Sequence, residues 1–101
     1  MARVTESEIA EVTLQIASNK DDGIATFREL KAKIPQYLPL SIHDKIKSRT
    51  RPGEEMWEQQ IRNIKSHSST EGNFIAEGYL QHVPGRGYRI TQQGRERAAQ
   101  R

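Results

Sequence analysis

The stretch that decides the fold runs from Glu54 to Ile90, EEMWEQQIRNIKSHSSTEGNFIAEGYLQHVPGRGYRI. Trp57, Ile61 and Ile64 fall at i, i+4 and i+7, which predicts a helix that buries one narrow apolar stripe and turns Gln59, Arg62, Asn63 and Ser66 outward. That outward face is rich in hydrogen-bonding groups and hardly acidic. After a connection over Gly72 to Gly78, Tyr79-Leu80-Gln81-His82-Val83 and Tyr88-Arg89-Ile90 flank Pro84-Gly85-Arg86-Gly87. This reads as a β-hairpin with Arg86 at its tip and two glycines supplying positive φ in the turn. Asn73-Phe74-Ile75-Ala76 reads as a short turn whose Phe74 and Ile75 fill the core.

Working outward, Thr5 can cap a helix whose apolar positions Ile9, Val12 and Ile16 repeat at i, i+3 and i+7, with Glu6 and Glu8 near its positive end. Asn19 to Gly23 ends it. Ile24-Ala25 is a short extended segment, and Thr26-Phe27-Arg28-Glu29 has the capping-box pattern, opening a second helix with a Phe27, Leu30, Ile34 stripe. Pro35 is expected to stop that helix, leaving Arg28, Lys31 and Lys33 on a surface that could touch phosphates. A long basic loop is then expected at about residues 36–53, with one extra turn at Ser41 to Asp44 carrying Ile46. Lys45, Lys47, Arg49 and Arg51 in this mobile segment either order against a polyanion or simply solvate a connector. At the other end Thr91 caps a last helix running toward Arg101.

A chain of 101 residues with 34% hydrophobic and 29% charged residues and a mean hydropathy of −0.85 fits one globular domain, residues 1–101. It contains no cysteine, which excludes disulfides, thiolate catalysis and cysteine-ligated zinc. No signal-peptide pattern or long apolar run is present, so a cytoplasmic protein without membrane contact is expected. The net charge of +3 is unevenly spread: residues 1–23 sum to −3, 24–50 to +4, 51–83 to −2 and 84–101 to +4. Two basic blocks that meet in space would form a footprint for phosphates, whereas two that do not are ordinary solvated faces.

Catalysis finds little support. His43, His67 and His82 lie on different predicted elements without ligand spacing, so no metal site, cofactor or catalytic residue is expected. Pro84 to Gly87 opens a strand and not a helix, so it is no phosphate cradle. Nucleic-acid binding fits better. Arginine can bond guanine O6 and N7 together, and asparagine or glutamine can do the same to adenine N6 and N7. Gln59, Arg62, Asn63 and Ser66 carry such groups on one helix face; the alternative for each is pairing with nearby acids or backbone. Trp57 is read as a core residue or as a stacking partner for a base. Arg86 is either an idle tip or a finger for the minor groove or a phosphate. Glu54, Glu55 and Glu58 suit the helix macrodipole but would repel phosphates, unless Glu58 accepts from cytosine N4.

These elements predict an α+β winged helix-turn-helix: three core helices, a small antiparallel sheet with a wing, and a C-terminal helix. The run Arg51-Pro52-Gly53-Glu54, Trp57, Ile61-Arg62-Asn63, Ser66-His67, Gly72-Asn73-Phe74-Ile75, Gly78-Tyr79 and Gly87-Tyr88-Arg89-Ile90-Thr91 with Gly94-Arg95 resembles the winged-helix domains attached to restriction endonucleases of the Mrr and HNH types. The resemblance is strong from Arg51 to Arg95 and rests on helix order alone before that. It implies binding of double-stranded DNA. It further implies, as in similar winged helices of methyl-directed enzymes, sensing of N6-methyladenine by an aromatic residue, here Trp57 with Arg62 and Asn63. No nuclease domain is present, so cleavage does not carry over. The expected DNA-contacting set is Trp57, Gln59, Arg62, Asn63, Ser66, Arg86, Arg49, Arg51 and Lys31. The expected partners are double-stranded DNA, methylated or not, and a nuclease or a second copy of the chain. The alternatives are a stand-alone transcriptional regulator and a winged helix turned to protein–protein interaction, for which the acidic first helix would serve.

Overall fold

The computed structural model describes residues 3–100. Residues 1, 2 and 101 of the expected domain, and with them the arrival of the last helix at Arg101, lie outside the described residues. The chain runs α1 (Glu6–Ser18), β1 (Ile24–Thr26), α2 (Phe27–Tyr37), α3 (Met56–Ser66), β2 (Leu80–Val83), β3 (Gly87–Ile90) and α4 (Gln92–Ala99). It is an α+β structure of four helices and a three-stranded antiparallel sheet, an arrangement compatible with a winged helix.

Three of the four helices begin at a threonine cap. Thr5 accepts from the Glu8 amide at 3.0 Å while the Glu8 carboxylate accepts from the Thr5 amide at 2.9 Å. Thr26 and Glu29 repeat the exchange at α2, with 3.1 Å in both directions, and Thr91 accepts from the Gly94 amide at 2.9 Å to start α4. Satisfying otherwise unpaired N–H groups in this way is typically worth about 1 kcal/mol per cap.

The core is built around α1. Beyond the expected Ile9, Val12 and Ile16, it also buries Ala10, Thr13, Leu14 and Ala17, because α2, α3, α4, β1 and β3 all pack against it. Thr13 is tolerated there because its hydroxyl donates to the Ile9 carbonyl at 2.8 Å. From α2 come Leu30 and Ile34, from α3 Trp57, Ile61 and Ile64, from the sheet Leu80, Tyr88 and Ile90, and from the turn before β2 Phe74.

Strand β3 is central, pairing Ala25 with Tyr88 on one side and His82 with Tyr88 on the other. In the hairpin turn only Gly85 has a positive φ, of 75°. Gly87 corrects the expectation of two such glycines: a Cβ on it would stand 2.0 Å from the Ala25 carbonyl oxygen, so glycine is required for the close approach of β1. Gly94 serves α4 likewise, since a Cβ there would meet the Tyr79 carbonyl at 2.2 Å. The far end of α4 is held to α1 by Arg97, whose Nε donates to Glu11 at 3.0 Å while its guanidinium lies 4.9 Å from the ring centres of Phe74 and Tyr79.

Two differences from the sequence reading concern the chain before α3. Pro35 does not stop α2, which continues to Tyr37. The proline stands in the last turn, where its missing N–H frees only one carbonyl, and the fully buried Ile34 anchors that turn against the core. The segment after it, expected as a mobile loop, is bonded in place. The buried Asp44 accepts from the amides of Ser41 at 2.8 Å and Val4 at 2.9 Å. Met56 and Trp57 donate their amides to Ile46 and Asp44 at 2.8 and 3.0 Å, and Ser48 donates to Glu54 at 2.8 Å. The predicted turn at Ser41 to Asp44 is present, with the Ser41 hydroxyl and the Asp44 carboxylate bonded to each other. Bonding to the Ser41 and Val4 amides outweighs burial and holds the Asp44 carboxyl below its usual range. Among the described residues no helix is long and apolar enough to cross a membrane.

Candidate nucleic-acid interface

Helix α3 owes its orientation to the sheet. Tyr88 is fully buried, and its hydroxyl donates to the Ile61 carbonyl at 2.6 Å and accepts from the Lys65 amide at 3.1 Å. Ile61 and Lys65 are consecutive turns of α3, so a single hydroxyl from β3 fixes both the roll and the position of the helix against the sheet. Burial pushes the phenol well above its usual pKa, which keeps it a donor at any physiological pH.

With that roll, Trp57, Ile61 and Ile64 face the core, and Gln59, Gln60, Arg62, Asn63 and Lys65 are half-buried around the rest of the helix, with Ser66 exposed. Trp57 settles one of the open readings. It is only 6% exposed and its indole N–H donates to Glu55 at 2.9 Å, so it is a core residue and is corrected as a stacking partner or the aromatic of a methyladenine pocket. The apolar stripe that forms the helix claims the indole before any ligand can.

Lys31 and Arg62 are brought together, but on a partner that the sequence reading left to the helix dipole. Glu54, 7% exposed just ahead of α3, accepts from Lys31 Nζ at 2.9 Å and from Arg62 Nε at 2.9 and 3.2 Å. Burial alone would raise the Glu54 carboxyl, but the bonds from Lys31 and Arg62 outweigh it and hold it below the usual range. Arg62 thus takes, at its Nε, the pairing with a nearby acid that was its alternative role. Its guanidinium carbon also lies 5.6 Å from the Phe27 ring centre, and Lys65 Nζ lies 5.7 Å from the same ring. Next to Phe27 stand Tyr88 and His82, and desolvation followed by the Lys65 charge holds the His82 imidazole below its usual pKa.

The remaining α3 residues have softer attachments. Gln59 accepts from the Ser48 hydroxyl at 2.7 Å, Asn63 donates to Gln60 at 3.0 Å, and Ser66 donates to the Arg62 carbonyl at 3.2 Å. The Ser48 contact lays the segment before α3 along the first turn of the helix. There Arg3, Lys47, Arg49 and Thr50 line a groove of about 410 Å³ together with Gln59, Ile46 and Met56. Lys45, Lys47, Arg49 and Arg51 are exposed, and among the described residues they form no ion pair.

Arg86 is not drawn into this cluster. It stays exposed at the hairpin turn with its guanidinium 3.5 Å from Asp22, a pair too open to water to fix it. Sequence reasoning missed the Glu54 node, the Lys65–Phe27–His82 cluster and the contribution of Arg3. None has a local signal, because Lys31 and Glu54 are 23 residues apart, as are Lys65 and Tyr88, and Arg3 joins a segment more than forty residues later. Among the described residues no group of three or more His, Asp or Glu side chains could hold a metal ion. Compared with known proteins, the chain matches no family model, no curated protein and no solved structure.

Proposed function

We propose that this chain is a winged-helix module that binds double-stranded DNA, with α3 in the major groove and the β2–β3 hairpin as the wing on the neighbouring backbone. The observation that carries the reading is the surface around α3. Half-exposed Gln59, Asn63 and Arg62 and exposed Ser66 lie beside a segment whose four exposed cations form no ion pair among the described residues. Carboxylates elsewhere in the protein take up Lys20, Lys31, Arg62 and Arg97, so an unpaired basic strip alongside a polar helix suits a polyanion that reaches both. In this reading Lys45, Lys47, Arg49 and Arg51 hold phosphates, while Gln59, Asn63 and Ser66 meet base edges. Arg86 reaches the backbone beyond the hairpin.

A module of this size covers roughly 600 to 1,000 Å² of its own surface on DNA, so it works best as a dimer or tethered to a nuclease of a restriction system. Recognition of methyladenine, if part of the function, falls to groups other than Trp57. The test is the salt dependence of binding. The logarithm of the association constant should fall linearly with the logarithm of salt concentration, with a slope near −0.9 for each phosphate engaged. Charge reversal at Lys47 and Arg49 should reduce that slope. A flat salt response removes the proposal.

A further inference from the structure

We infer that Glu54 is the residue that sets Arg62 for recognition of a paired hydrogen-bond acceptor on the DNA. The inference rests on the DNA-binding reading and says which side chain of α3 makes its most selective contact. Glu54 lies outside the helix, buried, and takes the Nε–H of Arg62 on both of its oxygens, at 2.9 and 3.2 Å. An arginine carries five N–H donors in a rigid fork, and this bond uses only the one on Nε. Among the described residues the two terminal nitrogens have no hydrogen-bond partner, while Phe27 lies 5.6 Å from the guanidinium carbon. Held at Nε and packed beside a ring, the guanidinium has lost most of its rotamer freedom before any ligand arrives, so a bidentate contact through its terminal nitrogens costs little further ordering.

Lys31 completes the arrangement. Its ammonium on Glu54 Oε2 at 2.9 Å supplies a second positive charge, so the buried carboxylate is more than neutralised and does not repel an approaching phosphate. The glutamate that looked unfavourable for DNA binding therefore works in its favour. Two features of a duplex present paired acceptors to such a fork: the O6 and N7 of guanine, and the oxygens of a phosphate.

The experiment uses the full chain and three probes: the duplex most enriched by the wild-type protein from a pool of random duplexes, the same duplex with each guanine replaced by 7-deazaguanine, and the unselected pool. Two variants are compared with the wild type, Glu54→Gln and Arg62→Lys. The latter keeps a cation beside Glu54 and so spares the fold if Glu54→Gln does not. If guanine is the acceptor, the wild type loses about tenfold or more on the deaza duplex, and both variants bind the selected and deaza duplexes equally. If phosphate is the acceptor, deaza substitution changes nothing, and both variants weaken on all three probes alike because the held guanidinium fork is lost. Either result supports the inference.

A carboxylate with no positioning role gives a different outcome, because its removal adds one positive charge and strengthens binding to every duplex. That result overturns the inference, as does wild-type behaviour of folded Arg62→Lys on all three probes. Failure of the wild type to bind or enrich any duplex overturns the DNA-binding reading itself, and is told apart by needing no variant to see it.

Discussion

Helices α1 and α3 begin alike, with an acidic first turn and an apolar repeat, yet the structure uses them in opposite ways. Helix α1 buries seven of its thirteen residues and is enclosed by three helices and two strands. Helix α3 buries three of eleven, leaving the others half-buried or exposed beside an unpaired basic segment. The difference teaches where stability resides and where a helix face is left open. A helix that is apolar on several sides must be surrounded, whereas one with a narrow stripe can lie on the core and keep a face for something else.

The sharpest way to break this comparison is at Leu14, fully buried in α1. Leu14→Ala should cost about 2–5 kcal/mol, a large share of the 5–15 kcal/mol typical of a whole domain, as read by urea unfolding. If the loss is under 1 kcal/mol, α1 is not the centre of the core. Next is Tyr88→Phe, which leaves the Ile61 carbonyl and the Lys65 amide without the hydroxyl that links them to β3. It should cost about 1–2 kcal/mol in the same measurement. It should also weaken DNA binding more than its effect on stability explains, since it frees the roll of α3.

A smaller effect concerns the join between α1 and α2, where Lys20 just past α1 pairs with Glu29 in the first turn of α2. The Lys20 bond, with the Thr26 amide, holds the Glu29 carboxyl down from 4.5 to about 2. Its folded pKa is depressed, so the contribution is complete above pH 4.5 and is lost as pH falls toward 2. Because the Glu29 side chain is 24% exposed, solvent screening keeps the loss to the order of 1 kcal/mol. Glu29→Gln should flatten the acid limb of a stability-versus-pH curve by that amount, and an unchanged limb would show that other carboxylates dominate it.

The smallest expected change in stability falls on the outward face of α3. Asn63→Ala removes only a bond to the neighbouring Gln60 and should stay within about 0.5 kcal/mol of the wild type. Binding to a selected duplex should nonetheless drop about tenfold, as for loss of one base contact. Asn63→Ala as costly to folding as Leu14→Ala would erase the distinction between the two helices.

What could be read from the chain follows the range of the interactions. The caps at Thr5, Thr26 and Thr91, the stripe of Trp57, Ile61 and Ile64, the turn at Ser41 to Asp44 and the hairpin around Gly85 each depend on residues within a few positions of one another. Their spacing carries them. Pro35 shows the limit of such local rules, because burial of Ile34 decides how far α2 extends. The candidate interface was legible as a residue set and not as an arrangement. Gln59, Asn63 and Ser66 lie on the expected face, and the Lys45 to Arg51 cations lie beside it. That Trp57 would be closed off, that Lys31 and Arg62 would meet on Glu54, and that Gly87 would be needed for contact and not for φ depended on partners from 8 to 62 residues away. Periodicity and capping are properties of neighbours in the chain, and the sequence by itself determined the helices and the hairpin through them. Which charges are neutralised and which remain for a ligand is a property of neighbours in space, and only the tertiary structure decided that.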